Sequence, residues 1–360
     1  MALICIALIL ASTGLGSPIS GRSQDRRRPI MLDSSGGFNV GGKIISDPRF
    51  PNLTLSCDHG YMEYFIPYTP RKTSLVMWHS SSTQTFQNRW DGGPGFKDIF
   101  LRRNYPVYLW DGPRVGRANW GCDPDTYTPS YRDQGNFAAW NFGPYYKNWW
   151  PDTQFPKEDD EAWLQATRSR YVEYDSDENV ELHSHTAAVG ADSGKLGEDI
   201  VYLTNSASGV RALMTAVKSN TTNIKAIVCF EGYGYVYPDN ANVTAGTSPF
   251  GGGYGPYIVP LEDFKKLAKL TAVLFYWSDH RDESYTFLKQ SRQVAALINL
   301  YGGNAHVVKL GDDLGFKGST HVAFADMDNE KIADHLEDFL DQNDLTGYAG
   351  GSDSRSKTRR

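Results

Sequence analysis

The sequence is poor in cysteine, in basic charge and in long apolar runs, and each shortage excludes a class of protein. Four cysteines in 360 residues and a lone His183-Ser184-His185 pair give no spacing typical of a metal centre. Acidic residues outnumber basic ones by 42 to 36, and the formal net charge of -6 argues against a nucleic-acid partner held through its phosphates. Beyond the N-terminus, no apolar run approaches the roughly 20 residues of a membrane-spanning helix.

The first residues have the pattern of a secretion signal. Leu3–Ala11 is apolar but too short to span a bilayer, and small residues follow it. We therefore predict a signal peptide over residues 1–16 and a secreted protein without stable membrane insertion. Three Asn-X-Ser/Thr tripeptides, which begin at Asn52, Asn220 and Asn242, are consistent with a secreted glycoprotein.

Removal of the signal would leave three cysteines, so at least one cannot pair within the chain. Cys229 lies in a mostly apolar run and is interpreted as a buried thiol. A disulfide between Cys57 and Cys122 is then the expected pairing.

Short apolar runs alternate with amphipathic helical patterns through most of the chain. This alternation predicts βαβ units, and the nearly unbroken apolar runs are typical of a parallel sheet that is covered on both faces. Strands are expected at Met62–Ile66, Ser74–Trp78, Val107–Trp110, Ile200–Leu203, Ile224–Phe230, Ala272–Trp277 and His306–Leu310. Helical stripes run from Val210 to Val217, from Phe287 to Tyr301 and from Ile332 to Leu340.

Three segments depart from this alternation. Residues 113–174 are rich in Trp, Tyr and Phe and too long for an ordinary loop, so we predict an aromatic insertion that forms a lid or cap over the sheet edge. Residues 17–36 are polar and predict a flexible mature N-terminus, and residues 346–360 predict a disordered tail. The folded domain is therefore expected to span residues 37–345.

Three turns carry groups suited to acyl transfer. Ser206 lies between an apolar strand and an amphipathic helix, the setting of a nucleophile elbow, although Thr204 and Ser208 stand where glycine is usual. The small residues after the strand that ends near His79 offer backbone N–H groups suited to an oxyanion hole. His321, in the loop before the last helix, is placed to act as a general base.

Taken together, these segments resemble the α/β-hydrolase superfamily, and within it a branch of secreted bacterial and fungal esterases. The resemblance extends from about residue 60 to residue 340. It is carried by Leu75-Val76-Met77-Trp78-His79, Thr204-Asn205-Ser206-Ala207-Ser208-Gly209, Ile227-Val228-Cys229-Phe230-Glu231 and Gly318-Ser319-Thr320-His321-Val322-Ala323-Phe324. It implies an α/β-hydrolase fold, with a mostly parallel central sheet flanked by helices.

The resemblance also implies roles for individual residues. It assigns the nucleophile to Ser206, the general base to His321 and the oxyanion donors to the backbone amides of Ser81 and Ala207. The branch usually has His-Gly-Gly where this chain has His79-Ser80-Ser81, and a histidine before the nucleophile where this chain has Asn205.

Two carboxylates lie at plausible strand ends, and the choice between them stays open. Most α/β-hydrolases take the acid from the later strand, which favours Asp279. The branch resembled here takes a glutamate from the earlier strand, and Phe230-Glu231-Gly232 matches it. Glu231 is the preferred acid and Asp279 the alternative.

The expected function is hydrolysis of a small-molecule carboxylic ester or lactone through an acyl-enzyme, with no metal or organic cofactor. One alternative uses the same residues to tailor a lactone or a secondary metabolite. The other is a catalytically silent hydrolase fold that binds an apolar ligand under the aromatic insertion.

Overall fold

A computed structural model of the chain describes residues 29–80, 82–123, 130–171, 176–243 and 253–350. Within these ranges the strands are β1 (Leu32–Ser46), β2 (Thr54–Pro67), β3 (Thr73–His79), β4 (Val107–Asp111), β5 (Asp199–Asn205), β6 (Ile224–Phe230), β7 (Val236–Pro238), β8 (Tyr257–Val259), β9 (Ala272–Trp277) and β10 (Ala305–Lys309). The α-helices are α1 (Phe96–Arg102), α2 (Asp133–Ala139), α3 (Asp160–Arg168), α4 (Asp177–Asp192), α5 (Ser208–Lys218), α6 (Leu261–Ala268), α7 (Thr286–Leu300), α8 (Leu310–Leu314) and α9 (Asn329–Gln342).

Eight of these strands form one sheet in the order β1-β2-β4-β3-β5-β6-β9-β10. The first two are antiparallel to their neighbours, and every pairing from β4 to β10 is parallel. β7 and β8 form a separate parallel pair. The mostly parallel sheet predicted from the unbroken apolar runs is confirmed. No helix in the described part of the chain is long and apolar enough to cross a membrane.

Helices cover the sheet on both faces because the central strands bury side chains on both. In β5, Tyr202 packs into one hydrophobic cluster, whereas Val201 and Leu203 point into the other. The first cluster is completed by α4, α5, α6 and α7, and the second by α1, α9 and the aromatic insertion. Burial of these apolar side chains is the main force that holds the layers together.

The register of the parallel strands determines where the chemistry emerges. His79 at the end of β3 pairs with Asn205 at the end of β5, and Asn205 pairs with Phe230 at the end of β6. Phe230 in turn pairs with Tyr276 in β9. The turns that follow β3, β5, β6 and β9 therefore leave the sheet side by side at its carboxyl edge, where ligands bind in open α/β sheets.

The aromatic insertion is present but is not only a cover over the sheet edge. Phe137, Phe142 and Phe155 are buried within the cluster formed with α1 and α9. Trp149 stacks on Phe155 with ring centroids 5.4 Å apart. These rings are therefore core side chains of that face of the sheet.

The predicted N-terminal boundary is wrong by a few residues. β1 begins at Leu32, so residues 32–36 of the segment expected to be flexible form a strand with β2. The Ser-Ser-Gly-Gly stretch of β1 gave no apolar signal because it lies at the sheet edge and is mostly exposed, and its order comes from backbone pairing. The predicted signal peptide, residues 1–16, lies outside the described residues.

The predicted C-terminal boundary also needs a correction. Lys72 donates its N–H to Gly347 O at 2.9 Å, and Ala349 donates to Pro70 O at 3.0 Å. The Arg71 guanidinium lies 5.0 Å from the ring centroid of Tyr348. Residues 347–349 therefore belong to the folded domain, while residues 351–360 of the predicted tail lie outside the described part.

Candidate active site

Ser206 occupies a sharp turn between β5 and α5. Its φ is 57°, in the left-handed region that few residues other than glycine adopt. Three backbone hydrogen bonds fix the turn: Ser206 N–H donates to Phe230 O at 3.1 Å, and its carbonyl accepts from Gly209 at 3.0 Å and from Tyr233 at 3.1 Å. Ser206 is half-buried between fully buried neighbours, and the constrained backbone is the geometry of a nucleophile elbow.

The serine at position 208, where glycine is usual, is accommodated without a left-handed backbone because it begins α5. Its hydroxyl oxygen lies 2.6 Å from the carbonyl oxygens of Trp78 and Asn205 and accepts from the Asn205 N–H at 2.9 Å. The position at which the helix comes too close to the sheet for a side chain is instead Gly209, where a Cβ would lie 2.3 Å from Cys229 Sγ. Helix and sheet therefore meet here at a distance that only glycine permits.

Glu231 emerges beside Ser206 from the end of β6. Its side chain is buried, and its Oε2 lies 2.7 Å from Nδ1 of His321. Ser278 donates to Oε1 from its N–H at 3.2 Å and also through its hydroxyl. Arg281 donates from Nε to Oε1 at 2.9 Å and from Nη2 to Oε2 at 2.7 Å. Both oxygens of the Glu231 carboxylate therefore accept hydrogen bonds from neighbouring side chains.

These neighbours determine the charge of Glu231. Burial alone would raise its pKa, but the charges of Arg281 and His321 and their hydrogen bonds outweigh burial and hold the pKa well below the usual range. Glu231 is therefore ionised at neutral pH and accepts the Nδ1 proton of His321. Nε2 of the neutral imidazole is then the unprotonated nitrogen, which can accept a proton.

His321 is oriented by three elements of the fold. Its N–H donates to Trp140 O at 2.9 Å in the insertion, and its carbonyl accepts from Nδ2 of Asn205 at 2.8 Å. The ring of Tyr233 lies 5.1 Å from the imidazole, centroid to centroid. Asn205 directly precedes Ser206, and the Tyr233 N–H donates to Ser206 O. The same two residues therefore contact both His321 and the turn at Ser206.

The alternative acid, Asp279, makes different contacts. Its Oδ2 accepts from Gly318 N–H at 2.9 Å, and its own N–H donates to the Ser319 hydroxyl at 2.8 Å. Asp279 thus holds the start of the loop that carries His321, whereas the carboxylate that reaches the imidazole is that of Glu231.

The loop after β3 is held by the His79 side chain. Nδ1 of His79 accepts from Ser82 N–H at 3.0 Å, and the Ser82 hydroxyl caps the next turn by accepting from Gln84 N–H at 3.1 Å. Ser81, one of the two predicted oxyanion donors, lies outside the described residues. Ala207, the other, is the N-cap residue of α5, where backbone N–H groups have no helical partner and favour negative charge.

One group of described side chains has the composition of a cation site: Asp152, Asp279 and His280. Their polar atoms already have protein partners. His280 Nε2 lies 2.8 Å from Asp152 Oδ1, and Asp279 accepts from Gly318. The group therefore serves to join the insertion to the loop after β9.

The cysteines and the sequons can be located on the fold. Cys57 and Cys122 form a disulfide with an S–S distance of 2.09 Å. Cys229 is a buried free thiol, and burial raises its pKa to about 12. The three sequon asparagines, Asn52, Asn220 and Asn242, are exposed, as glycosylation would require.

Several residues of this network carry no recognisable signal in the sequence. Arg281 lies in a polar run that is typical of a solvated loop, yet it is paired with Glu231. Ala139, Trp140 and Asn141 belong to the insertion, yet they contact Arg281, His321 and the loop after β9 respectively. Such contacts depend on how distant segments pack together, which periodicity and motif spacing do not report.

No protein-family model matches the chain. Among curated proteins it is 24% identical over 367 residues to the probable secreted lipase phiG of Fungal sp. (strain ATCC 74256), an alignment that covers 92% of this chain and 96% of the lipase. Among solved structures, a bacterial esterase matches it with a TM-score of 0.69 and 23% identity over 88% of this chain and 98% of the esterase. This structural likeness shows that the chain has the α/β-hydrolase fold, which confirms the fold expected from the sequence.

The close contact at the elbow gives a prediction about stability. Gly209→Ala should lower the free energy of unfolding by about 1–3 kcal/mol, because the new Cβ overlaps Cys229 Sγ in a packed core. Adding Cys229→Ala removes the sulfur and should recover part of that loss. Denaturant unfolding of the two single variants and the double variant measures the coupling. If the free energy of unfolding lost in the double variant equalled the sum of the two single losses, overlap with the Cys229 sulfur would not be the reason that position 209 requires glycine.

Proposed function

We propose that the chain is a serine hydrolase that cleaves carboxylic esters through an acyl-enzyme. The observation that carries this proposal is the 2.7 Å contact between Nδ1 of His321 and the buried Glu231, beside the constrained turn at Ser206. The similarity to a lipase and to an esterase supports carboxylic ester hydrolysis as the reaction class.

In the proposed first step, Ser206 Oγ attacks the ester carbonyl carbon and its proton passes to Nε2 of His321. Glu231 keeps the imidazole in the required tautomer and stabilises the imidazolium that forms. Collapse of the tetrahedral intermediate breaks the bond to the alcohol oxygen, which takes the proton from Nε2. Ser206 is then left esterified by the acyl group.

In the second step, water attacks the acyl-enzyme and gives one proton to Nε2 of His321. That proton returns to Ser206 Oγ when the acid product leaves, so the enzyme is regenerated. The amides of Ala207 and Ser81 are the proposed donors to the oxyanion in both steps, where each donor is worth roughly 3–4 kcal/mol in comparable enzymes.

We further propose that the protein acts outside the cell. The apolar segment at Leu3–Ala11, the exposed sequon asparagines and the similarity to a probable secreted lipase support secretion. The disulfide between Cys57 and Cys122 is also stable in an oxidising compartment.

Ser206→Ala should abolish ester turnover while the protein stays folded. Loss of the nucleophile from a serine triad lowers kcat by roughly 10⁶-fold in a comparable enzyme, and the half-buried hydroxyl fills little core volume. Initial rates on a panel of p-nitrophenyl esters and lactones, with thermal unfolding of the same samples, provide the measurement.

Ser219→Ala, at the other end of α5, is the matched control, because it removes a serine hydroxyl that bonds Asp192 outside the site. It should keep the parent's kcat. Near-parent turnover by a folded Ser206→Ala protein would eliminate the serine mechanism.

Glu231→Gln should lower kcat far more than Asp279→Asn. The amide keeps the size of the glutamate but removes the counter-charge and the tautomer control of His321, a change worth about 10⁴-fold in one serine protease. In the Asp279→Asn variant the amide oxygen can still accept from Gly318 N–H, so we expect a loss of less than about tenfold from that change. Steady-state kinetics of the two folded variants compares them, and a much larger loss in Asp279→Asn would assign the acid to the later strand.

A further inference from the structure

Arg281 forms a nearly buried ion pair with Glu231. It lies in the loop after β9, and its side chain is 11% exposed, while that of Glu231 is 2% exposed. Nε of Arg281 lies 2.9 Å from Oε1 and 3.1 Å from Oε2, and Nη2 lies 2.7 Å from Oε2. The guanidinium therefore spans both carboxylate oxygens and shares Oε2 with His321.

The far side of Arg281 is fixed as well. Nη2 donates to Ala139 O at 2.8 Å, and the guanidinium lies 4.9 Å from the ring centroid of Tyr285. Ala139 precedes Trp140, whose carbonyl accepts from the N–H of His321. Two consecutive carbonyls of the insertion thus accept hydrogen bonds from Arg281 and His321, two of the partners of Glu231.

We infer that Arg281 is a positioning residue, which fixes the Glu231 carboxylate toward His321 and limits how strongly that carboxylate stabilises the imidazolium. The inference rests on the proposed function. The positioning effect follows from the two-pronged contact between the guanidinium and the carboxylate. A planar guanidinium that donates from two nitrogens to one carboxylate fixes the plane of that carboxylate as well as its position.

The electrostatic part follows from the shared oxygen. A carboxylate that also neutralises a guanidinium has less negative charge to offer the imidazole, and the guanidinium itself repels a positively charged ring. The titratable groups that face Glu231 are Arg281, His321, Tyr233 and Tyr285. Burial raises the pKa of both tyrosines, which keeps them neutral, and Arg281 keeps its charge because Glu231 outweighs the effect of burial on its pKa.

A purely structural ion pair is the competing explanation, because a buried arginine can stabilise a loop without affecting the reaction. The two explanations differ in the pH profile. Loss of the positive charge removes one of the causes that hold down the pKa of Glu231, so the acid limb of kcat/KM moves to higher pH. Loss of a structural contact lowers the amount of folded enzyme and leaves the acid limb in place.

The experiment compares Arg281→Met, Arg281→Lys and the control Arg292→Met. Arg292, on α7, forms an exposed ion pair with Glu283, so its variant removes the same group away from the site. We measure kcat and KM on a p-nitrophenyl ester from about pH 4 to pH 9, where histidine and carboxylate limbs appear. Titration of the nucleophile with a fluorophosphonate counts the competent sites.

For Arg281→Met we expect kcat per titrated site to fall about 10- to 100-fold with little change in KM, because a displaced catalytic group costs rate and not ground-state binding. Its acid limb should move up by about half a pH unit or more. Arg281→Lys keeps the charge but loses the two-pronged contact, so it should keep the parent's acid limb with a reduced kcat. Arg292→Met should match the parent in both.

The inference is overturned if folded Arg281→Met keeps both the parent's kcat per site and its acid limb. If that variant does not fold, Arg281→Lys decides, and a kcat per site equal to the parent's would exclude a positioning role. Failure of the proposed function has a different signature, namely turnover by Ser206→Ala.

Discussion

The hydrogen bond between Glu231 and His321 is the contact on which the rest of the site depends. It joins the end of a buried strand to a loop about 90 residues further along the chain, and it selects the imidazole tautomer that can accept a proton. In the proposed reaction, the elbow at Ser206 supplies a nucleophile only if that tautomer faces it. Further residues bond one member of this pair each. Glu231 accepts from Arg281 and Ser278, and the backbone of His321 is bonded by Trp140 and Asn205.

The parallel sheet makes this contact possible because its register brings distant residues to one edge. The ends of β3, β5 and β6 lie side by side, so the turns that follow them lie next to one another. The insertion completes the site from outside the sheet. Its aromatic rings anchor it in the core, and the short segment Ala139–Asn141 reaches the loops that carry Arg281 and His321 from that anchor. Hydrogen bonds of all three of its residues therefore hold this segment against those loops.

Much of this arrangement is encoded locally and could be predicted. Ala272–Trp277 is an unbroken apolar run, Ile224–Phe230 is interrupted only by Lys225, and both strands have the predicted bounds. The turn at Ser206 follows from a strand that leads directly into an amphipathic helix. β1 was not predicted because a polar edge strand has no apolar pattern. Arg281 was not predicted because pairing with Glu231 brings a charged side chain into the interior, and composition assigns such residues to the surface.

The central claim is that Ser206 is the residue activated by this network, and covalent labelling tests it most directly. Diethyl p-nitrophenyl phosphate should release one p-nitrophenol per chain and leave one diethylphosphoryl group, which peptide mass mapping should locate on Ser206. The rate of labelling should fall as His321 becomes protonated, because the hydroxyl then has no base. A fully inactivated protein that carries its label on another residue, or an active one that takes up none, would contradict the account.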